Sequence, residues 1–199
     1  MTGIVLAGGR SERMGVAKAL LRVDGETFLE RAVALLGGMC KEIIIAASPT
    51  QPLPQIAGCR MVTDEKPGLG PLGGLVTALA ASDDEWHLAV ACDLPLARPE
   101  VLRLLAENAQ DADAIVPRTG GRLQTLLAAY SRTCLEPGRE VLARGERAVA
   151  AMLDQVKMRV LEEEVLREAD PALVSFVNVN TWEEYQAIRD RLSGRETCD

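Results

Sequence analysis

The residues of this 199-residue chain best suited to chemistry lie in two glycine-bearing loops and on one aspartate. The first loop is Leu6-Ala7-Gly8-Gly9-Arg10-Ser11-Glu12-Arg13-Met14-Gly15-Val16-Ala17-Lys18. Glycines directly after an apolar run let the backbone approach a ligand closely and expose N–H groups to anionic oxygens. Arg10, Arg13 and Lys18 follow. Residues 1–23 hold four basic side chains (with Arg22) and one acid, Glu12, a local +3 in a chain of net charge −7. Such an excess beside a glycine loop suits a triphosphate or another polyanion. The loop is not a P-loop, because five residues separate Gly9 from Gly15 and no Gly-Lys-Ser/Thr follows.

The second loop, Pro67-Gly68-Leu69-Gly70-Pro71-Leu72-Gly73-Gly74, contains a literal G-x-G-x-x-G from Gly68 to Gly73, with Asp93 20 residues later. This spacing imitates a dinucleotide fingerprint and keeps a nicotinamide-dependent enzyme among the alternatives. Asp64-Glu65-Lys66-Pro67 intervene between strand and turn, however, and Pro71 removes an N–H where pyrophosphate would sit. Asp93 closes the apolar run Leu88-Ala89-Val90-Ala91-Cys92 and precedes Leu94-Pro95. A carboxylate there can hold Mg²⁺, which takes oxygen ligands and shares them with phosphates, or it can cap a turn.

The elements that must carry these groups alternate between strand and helix. Gly3–Ala7, Glu42–Ala47, Cys59–Thr63 and Trp86–Cys92 read as buried strands. Glu26–Leu36 has helical apolar spacing and stops at Gly37-Gly38. A second helix runs from the Gly/Pro-rich loop to about Ala81, and a third covers Pro99 to Asn108, with proline at a first helical position. Beyond them Ala114–Val116 and Leu123–Tyr130 are expected as strands, and Cys134–Arg144 and Val149–Gln155 as helices. Val174–Val177 is expected as a last strand before a closing helix, Trp182–Leu192. The pattern predicts an α/β fold: a three-layer, doubly wound, mostly parallel sheet with helices on both faces. One domain over 1–199 is expected. Ligands in such sheets bind beyond the carboxyl ends of the strands, where both loops and Asp93 fall.

Composition removes several function classes. The acidic balance argues against nucleic-acid or anionic-membrane binding. Six aromatics in all argue against a base-stacking surface, and the single histidine, His87, cannot build a multi-histidine metal site. His87 is read as structural. Five cysteines (Cys40, Cys59, Cys92, Cys134, Cys198) without a C-x-x-C fit reduced, buried thiols rather than a disulfide framework. No apolar run approaches a membrane span, and Met1–Ala7 lacks the basic region of a secretory leader. A soluble, cytoplasmic protein is expected.

Four motifs together resemble one family. Leu6-Ala7-Gly8-Gly9-Arg10-Ser11-Glu12-Arg13-Met14-Gly15 with Lys18, Gly70-Pro71-Leu72-Gly73-Gly74-Leu75, Ala91-Cys92-Asp93-Leu94-Pro95 and Asn178-Val179-Asn180-Thr181 are similar, in order and spacing, to the molybdenum cofactor guanylyltransferase (MobA) family of nucleotidyltransferases. The resemblance spans nearly the whole chain and implies a Rossmann-like fold of the nucleotide-diphospho-sugar transferase type. It implies transfer of GMP from GTP to the phosphate of molybdenum-bound molybdopterin, with Mg²⁺ and release of pyrophosphate. By position, the resemblance gives Leu6, Ala7 and Gly8 to the guanine site and Gly9 to GTP binding, and it implies a GTP-binding half to about residue 110 and an acceptor half from 111. It gives Lys18 and Arg13 to the phosphates, Asp64 to the nucleoside, Asp93 to Mg²⁺, and Asn178 and Asn180 to the acceptor. Transient contacts with proteins that supply or receive the cofactor are implied as well. The sequence departs from the family pattern at Ser48, where Asn is frequent, and at Thr125 and Trp182, where Pro is usual.

The chemistry is consistent with few acid–base residues. Nucleotidyl transfer needs an in-line approach of two anions and neutralisation of charge at the α-phosphate and the leaving pyrophosphate. The attacking phosphate is already ionised near neutral pH, so no general base is required. A related transferase using CTP or making a sugar nucleotide, and a non-catalytic nucleotide-binding protein, are the remaining alternatives.

Overall fold

The computed structural model describes residues 1–8, 16–64 and 67–192; Gly9, Arg10, Arg13 and Cys198 therefore lie outside the described residues. In chain order the strands are β1 (Thr2–Leu6), β2 (Arg22–Val23), β3 (Glu26–Thr27), β4 (Glu42–Ala47), β5 (Cys59–Thr63), β6 (Trp86–Ala91), β7 (Ala114–Thr119), β8 (Arg122–Leu123), β9 (Leu127–Ser131) and β10 (Met158–Leu161). The helices are α1 (Phe28–Gly37), α2 (Gly70–Ala80), α3 (Pro99–Glu107), α4 (Leu135–Ala143), α5 (Val149–Leu153), α6 (Glu163–Ala169) and α7 (Trp182–Leu192).

All five residues of β1 are buried, as a strand covered on both faces requires. It lies between β6 and β4 in a sheet ordered β10-β7-β9-β6-β1-β4-β5, with β8 paired to β7. β1 runs parallel to β4 and β6, and β4 parallel to β5; β9 alone on this path is reversed, antiparallel to β6 and β7. Helices cover both faces, and the mostly parallel, doubly wound architecture is the expected one. One apolar core of Ile, Leu, Val and Ala side chains runs from β1 to α6. A smaller cluster of Leu21, Val23, Phe28, Val179 and Ile188 packs α7 and the segment before it onto the β2–β3 hairpin. There the Tyr185 hydroxyl donates to the Arg22 carbonyl at 2.6 Å.

Local signals explain where the elements begin. Thr27 caps α1: its hydroxyl accepts from the Glu30 N–H at 3.1 Å, and the Glu30 carboxylate accepts from the Thr27 N–H at 2.6 Å. This reciprocal box holds Glu26-Thr27 extended, so the helix starts at Phe28 rather than at Glu26. Leu123–Tyr130 is not one strand. The Gln124 N–H turns back to the Pro117 carbonyl at 2.8 Å, which separates the β7–β8 hairpin from β9. Val174–Val177 is not a strand either. Leu173 adopts φ 52°, and the Asp170 carboxylate accepts from the Ser175 N–H at 2.7 Å, winding the chain into a 3₁₀ turn over Val174–Phe176. The edge position next to β7 belongs to β10, a strand that lacks a sustained alternating pattern. No helix of the described residues is long and apolar enough to cross a membrane. Cys40, Cys59, Cys92 and Cys134 are free thiols, the last two buried.

Candidate active site

The chain builds β1, β4 and β5 outward in one direction, then returns so that β6 pairs with the other edge of β1. This reversal opens a crevice above the carboxyl ends of β1 and β6, the position where open α/β sheets bind ligands. Leu6, Ala7, Gly8, Lys18, Asp64 and Asp93 line that crevice together with Ala46, Gln51, Gly70, Pro71, Gly74 and Cys92. Six residues singled out from the sequence thus converge on one cleft.

The floor is backbone. The Ala7 N–H donates to the Ala46 carbonyl at 2.9 Å, and the Leu6 carbonyl accepts from the Cys92 N–H at 3.2 Å, so these groups are spent in the sheet. Gly8 makes no backbone hydrogen bond to another described residue, which leaves its polar groups for a ligand. A Cβ at Gly8 would meet the Ser48 nitrogen at 3.6 Å, an ordinary contact. Protein packing therefore does not demand glycine there; the missing side chain leaves room in the cleft.

Gly73 is demanded by packing. A Cβ there would lie 2.3 Å from the Leu69 Cβ and 3.2 Å from Asp64 Oδ2. Its absence lets α2 begin close against Asp64, and the Thr77 hydroxyl of the same helix donates to Asp64 Oδ1 at 2.9 Å. Burial raises the Asp64 pKa above its ordinary 3.8, against the opposing pull of the Thr77 hydrogen bond. Thr77 and Gln51 were not foreseen. Thr77 has no motif to flag it, and Gln51 sits in a proline-rich loop whose path only the fold fixes.

The opposite wall is charged. Lys18 lies on a 3₁₀ turn over Lys18–Leu20 whose middle residue, Ala19, is buried as an anchor. Its ammonium pairs with Asp93 Oδ2 at 3.1 Å and donates to Asn180 Oδ1 at 2.7 Å. The Lys18 and Asp93 side chains are 16% and 19% exposed, so the pair sits in a recess where water screens it incompletely. The Val179 N–H donates to the Asp93 carbonyl at 3.0 Å, which ties the Asn178-Val179-Asn180 segment to the end of β6.

The second carboxylate oxygen of Asp93 is the informative atom. Asp93 Oδ1 is buried and accepts no hydrogen bond from a described residue. A buried bare carboxylate oxygen calls for a partner from outside the chain, and a hard cation fits it. Among the described residues no cluster of three His, Cys, Asp or Glu could enclose a metal. A single carboxylate matches the way Mg²⁺ is held with waters and substrate phosphates. Burial pushes the neighbouring Cys92 thiol up to about 12, which keeps it protonated.

Asn178 is exposed and has no side-chain hydrogen bond to a described residue, whereas Asn180 joins the site through Lys18. Thr181 and Glu184 form a capping box at the start of α7, with N–H donations at 3.0 and 3.2 Å. Trp182 at the first position of that helix is 42% exposed and meets Tyr185 edge-on, ring centroids 5.6 Å apart. The Ser48 hydroxyl bonds locally to Thr50, and its carbonyl accepts from the Gln51 N–H at 3.1 Å. The Thr125 carbonyl accepts from the buried Tyr130 hydroxyl at 2.6 Å. His87 is buried near the start of β6, Nδ1 at 3.3 Å from the Tyr130 carbonyl, and burial lowers its pKa. It remains neutral and belongs to the core.

Residues 3–160 match the family of MobA-like NTP transferase domains. A molybdenum cofactor guanylyltransferase of Desulfosudis oleivorans is 33% identical over 189 residues, covering 94% of this chain and 93% of that protein. A Chloroflexus aggregans protein, named "Probable molybdenum cofactor guanylyltransferase", is 36% identical over 195 residues, 95% of this chain and 93% of the relative. Among solved structures, molybdopterin-guanine dinucleotide biosynthesis protein A from Archaeoglobus fulgidus shares the fold. Its TM-score is 0.82 at 23% identity, covering 98% of this chain and 100% of that one.

Proposed function

Because the chain belongs to the family of MobA-like NTP transferase domains, we propose that it transfers GMP from GTP to the phosphate of molybdenum-bound molybdopterin and releases pyrophosphate. The observation that carries this reading is the cleft at the β1–β6 switch point. There a backbone floor at Gly8 faces Lys18 and an aspartate with one uncommitted oxygen. The dinucleotide alternative raised by Gly68–Gly73 loses its support, since Gly73 lets α2 start close against Asp64 while Gly68 and Gly70 lie against Arg147.

Gly8 offers backbone groups to the base, where the lack of a side chain leaves space. The Lys18 ammonium binds the phosphates and offsets charge gathering on the leaving pyrophosphate. Asp64, fixed by Thr77, orients the nucleoside. Mg²⁺, when held by Asp93 and the phosphates, supplies further neutralisation of charge at the reacting phosphorus. The acceptor phosphate attacks the α-phosphorus as pyrophosphate leaves from the opposite side. No protein group needs to take a proton, so neutral His87 is no impediment. Positioning and electrostatics carry the acceleration.

The test is a single-turnover assay with α-labelled GTP, Mg²⁺ and metal-loaded molybdopterin. Label is expected in a molybdopterin guanine dinucleotide, with CTP, ATP and UTP giving little product. Equal or greater transfer from CTP would overturn the assignment of the base.

A further inference from the structure

The placement of Asn180 points to a role on the nucleotide side of the site. We propose that Asn180 is a positioning residue for Lys18: its side-chain carbonyl fixes the ammonium at the mouth of the cleft before any acceptor arrives. The inference rests on the nucleotide-binding reading above, but the contact that carries it belongs to the protein alone.

Lys18 has a long, flexible stem and comes from a short 3₁₀ turn, so its ammonium has many positions open to it. Two oxygens select one. Asp93 Oδ2 lies 3.1 Å away, and Asn180 Oδ1 lies closer, at 2.7 Å. The two differ in what happens when substrate binds. Asp93 is also the proposed metal ligand, so its hold on the ammonium weakens when a cation shares the carboxylate. The neutral Asn180 oxygen does not attract the cation as strongly and can keep the ammonium turned toward the phosphates.

Asn180 is itself well anchored. Its backbone N–H donates to Glu184 Oε2 at 2.5 Å, and the preceding residue, Val179, is buried and bonded to the Asp93 carbonyl. None of these anchors uses the Asn180 side chain. The side chain can therefore be changed without releasing the segment, and its oxygen is available to hold Lys18. A contact across 162 residues thereby connects the acceptor half to the nucleotide half.

Calorimetry with Mg²⁺-GTP and no acceptor provides the first test. Asn180→Ala is expected to weaken GTP binding by about tenfold, the size of one hydrogen bond to a charged group. Asn180→Gln, which keeps a neutral amide oxygen, should recover part of that loss. Lys18→Ala should weaken binding at least as much, and adding Asn180→Ala to it should cost less than about twofold more, since both changes remove one interaction. Unchanged GTP affinity in Asn180→Ala, or losses that multiply in the double variant, would overturn the proposal and leave Asn180 to the acceptor alone.

A second measurement separates this from the nucleotide reading. Lys18 is one of four lysines, so its ε-carbon resonance in ¹³C-lysine protein is readily assigned. In ligand-free protein, Asn180→Ala should move the Lys18 signal and leave the other three in place. Failure of the wild type to bind GTP would defeat the proposed function. A Lys18 signal unmoved by Asn180→Ala would defeat the positioning role.

Discussion

Asp84 and Asp93 flank the two ends of β6, each beside a lysine, and the two ends treat the carboxylate in opposite ways. At the amino end Asp84 is fully used: Oδ2 accepts from the Thr2 hydroxyl at 2.8 Å and pairs with the Met1 α-amino group at 3.0 Å, and Oδ1 pairs with Lys41 at 2.8 Å. These donors hold its pKa well below the ordinary carboxylate range. At the carboxyl end Asp93 pairs with Lys18 through one oxygen and leaves the other buried and bare among the described residues. A carboxylate whose lone pairs are all satisfied stabilises the fold. One left with an open valence costs stability until something else binds, a mark of a functional position.

The sharpest way to break that contrast is to exchange charge for amide at each end. Asp93→Asn should lower turnover by about 10²–10³-fold, the usual scale for removing a key electrostatic group. Its melting temperature should not fall, because the group removed was under-satisfied. A retained rate of pyrophosphate release would show that the bare oxygen has no part in the chemistry.

Gly73→Ala probes the same end through geometry. Its methyl must displace Leu69 or shift α2 away from Asp64, so nucleotide affinity should fall by about tenfold, one positioned hydrogen bond being worth roughly 1–2 kcal/mol. Affinity equal to the wild type would mean that the close approach of α2 to Asp64 is not used in binding.

Asp84→Asn should produce the smallest effect on function and a clear one on stability. Turnover per folded molecule should stay within about twofold, while the melting temperature drops by roughly 5 °C. The pH dependence carries the sign. Because the folded pKa lies below the ordinary 3.8, the contribution of Asp84 is fully present above that value and is lost as the pH falls from there through the folded pKa. The gap between wild type and Asp84→Asn should therefore hold near neutrality and close progressively below about pH 4. A gap that stayed constant into strong acid would remove the ionised carboxylate from the explanation.

The two ends also differ in how legible they are. Lys18 and Asp93 can be named from the chain because one follows a glycine loop and the other closes a buried strand, whereas Asp64 is named only by the family resemblance. Asp84, in Ser82-Asp83-Asp84-Glu85, is one acid among several in a polar stretch, and nothing local separates it from its neighbours. Its partners Met1, Thr2 and Lys41 are brought together by the pairing of β1 with β6 and β4. The same limit explains the misread elements. Val174–Val177 has strand-like residues, but the left-handed Leu173 and the bond from the Ser175 N–H to Asp170 wind it into a 3₁₀ turn instead. The break between β8 and β9 depends on a hydrogen bond from Gln124 back to Pro117.

By itself the sequence determined the parallel core strands, the loops that follow them and the residue types at their carboxyl ends. Apolar runs, glycine after a strand and proline at a helix start act over a few residues. Tertiary structure alone decided how those ends are wired. It set the reversal that puts β6 beside β1, the closeness of α2 to Asp64, and the 2.7 Å contact between Lys18 and Asn180. The physical reason is that hydrogen bonds and charge pairs reach only a few ångströms, whereas Lys18 and Asn180 are separated by 162 positions. Packing of the core, and no local preference, brings them within that reach.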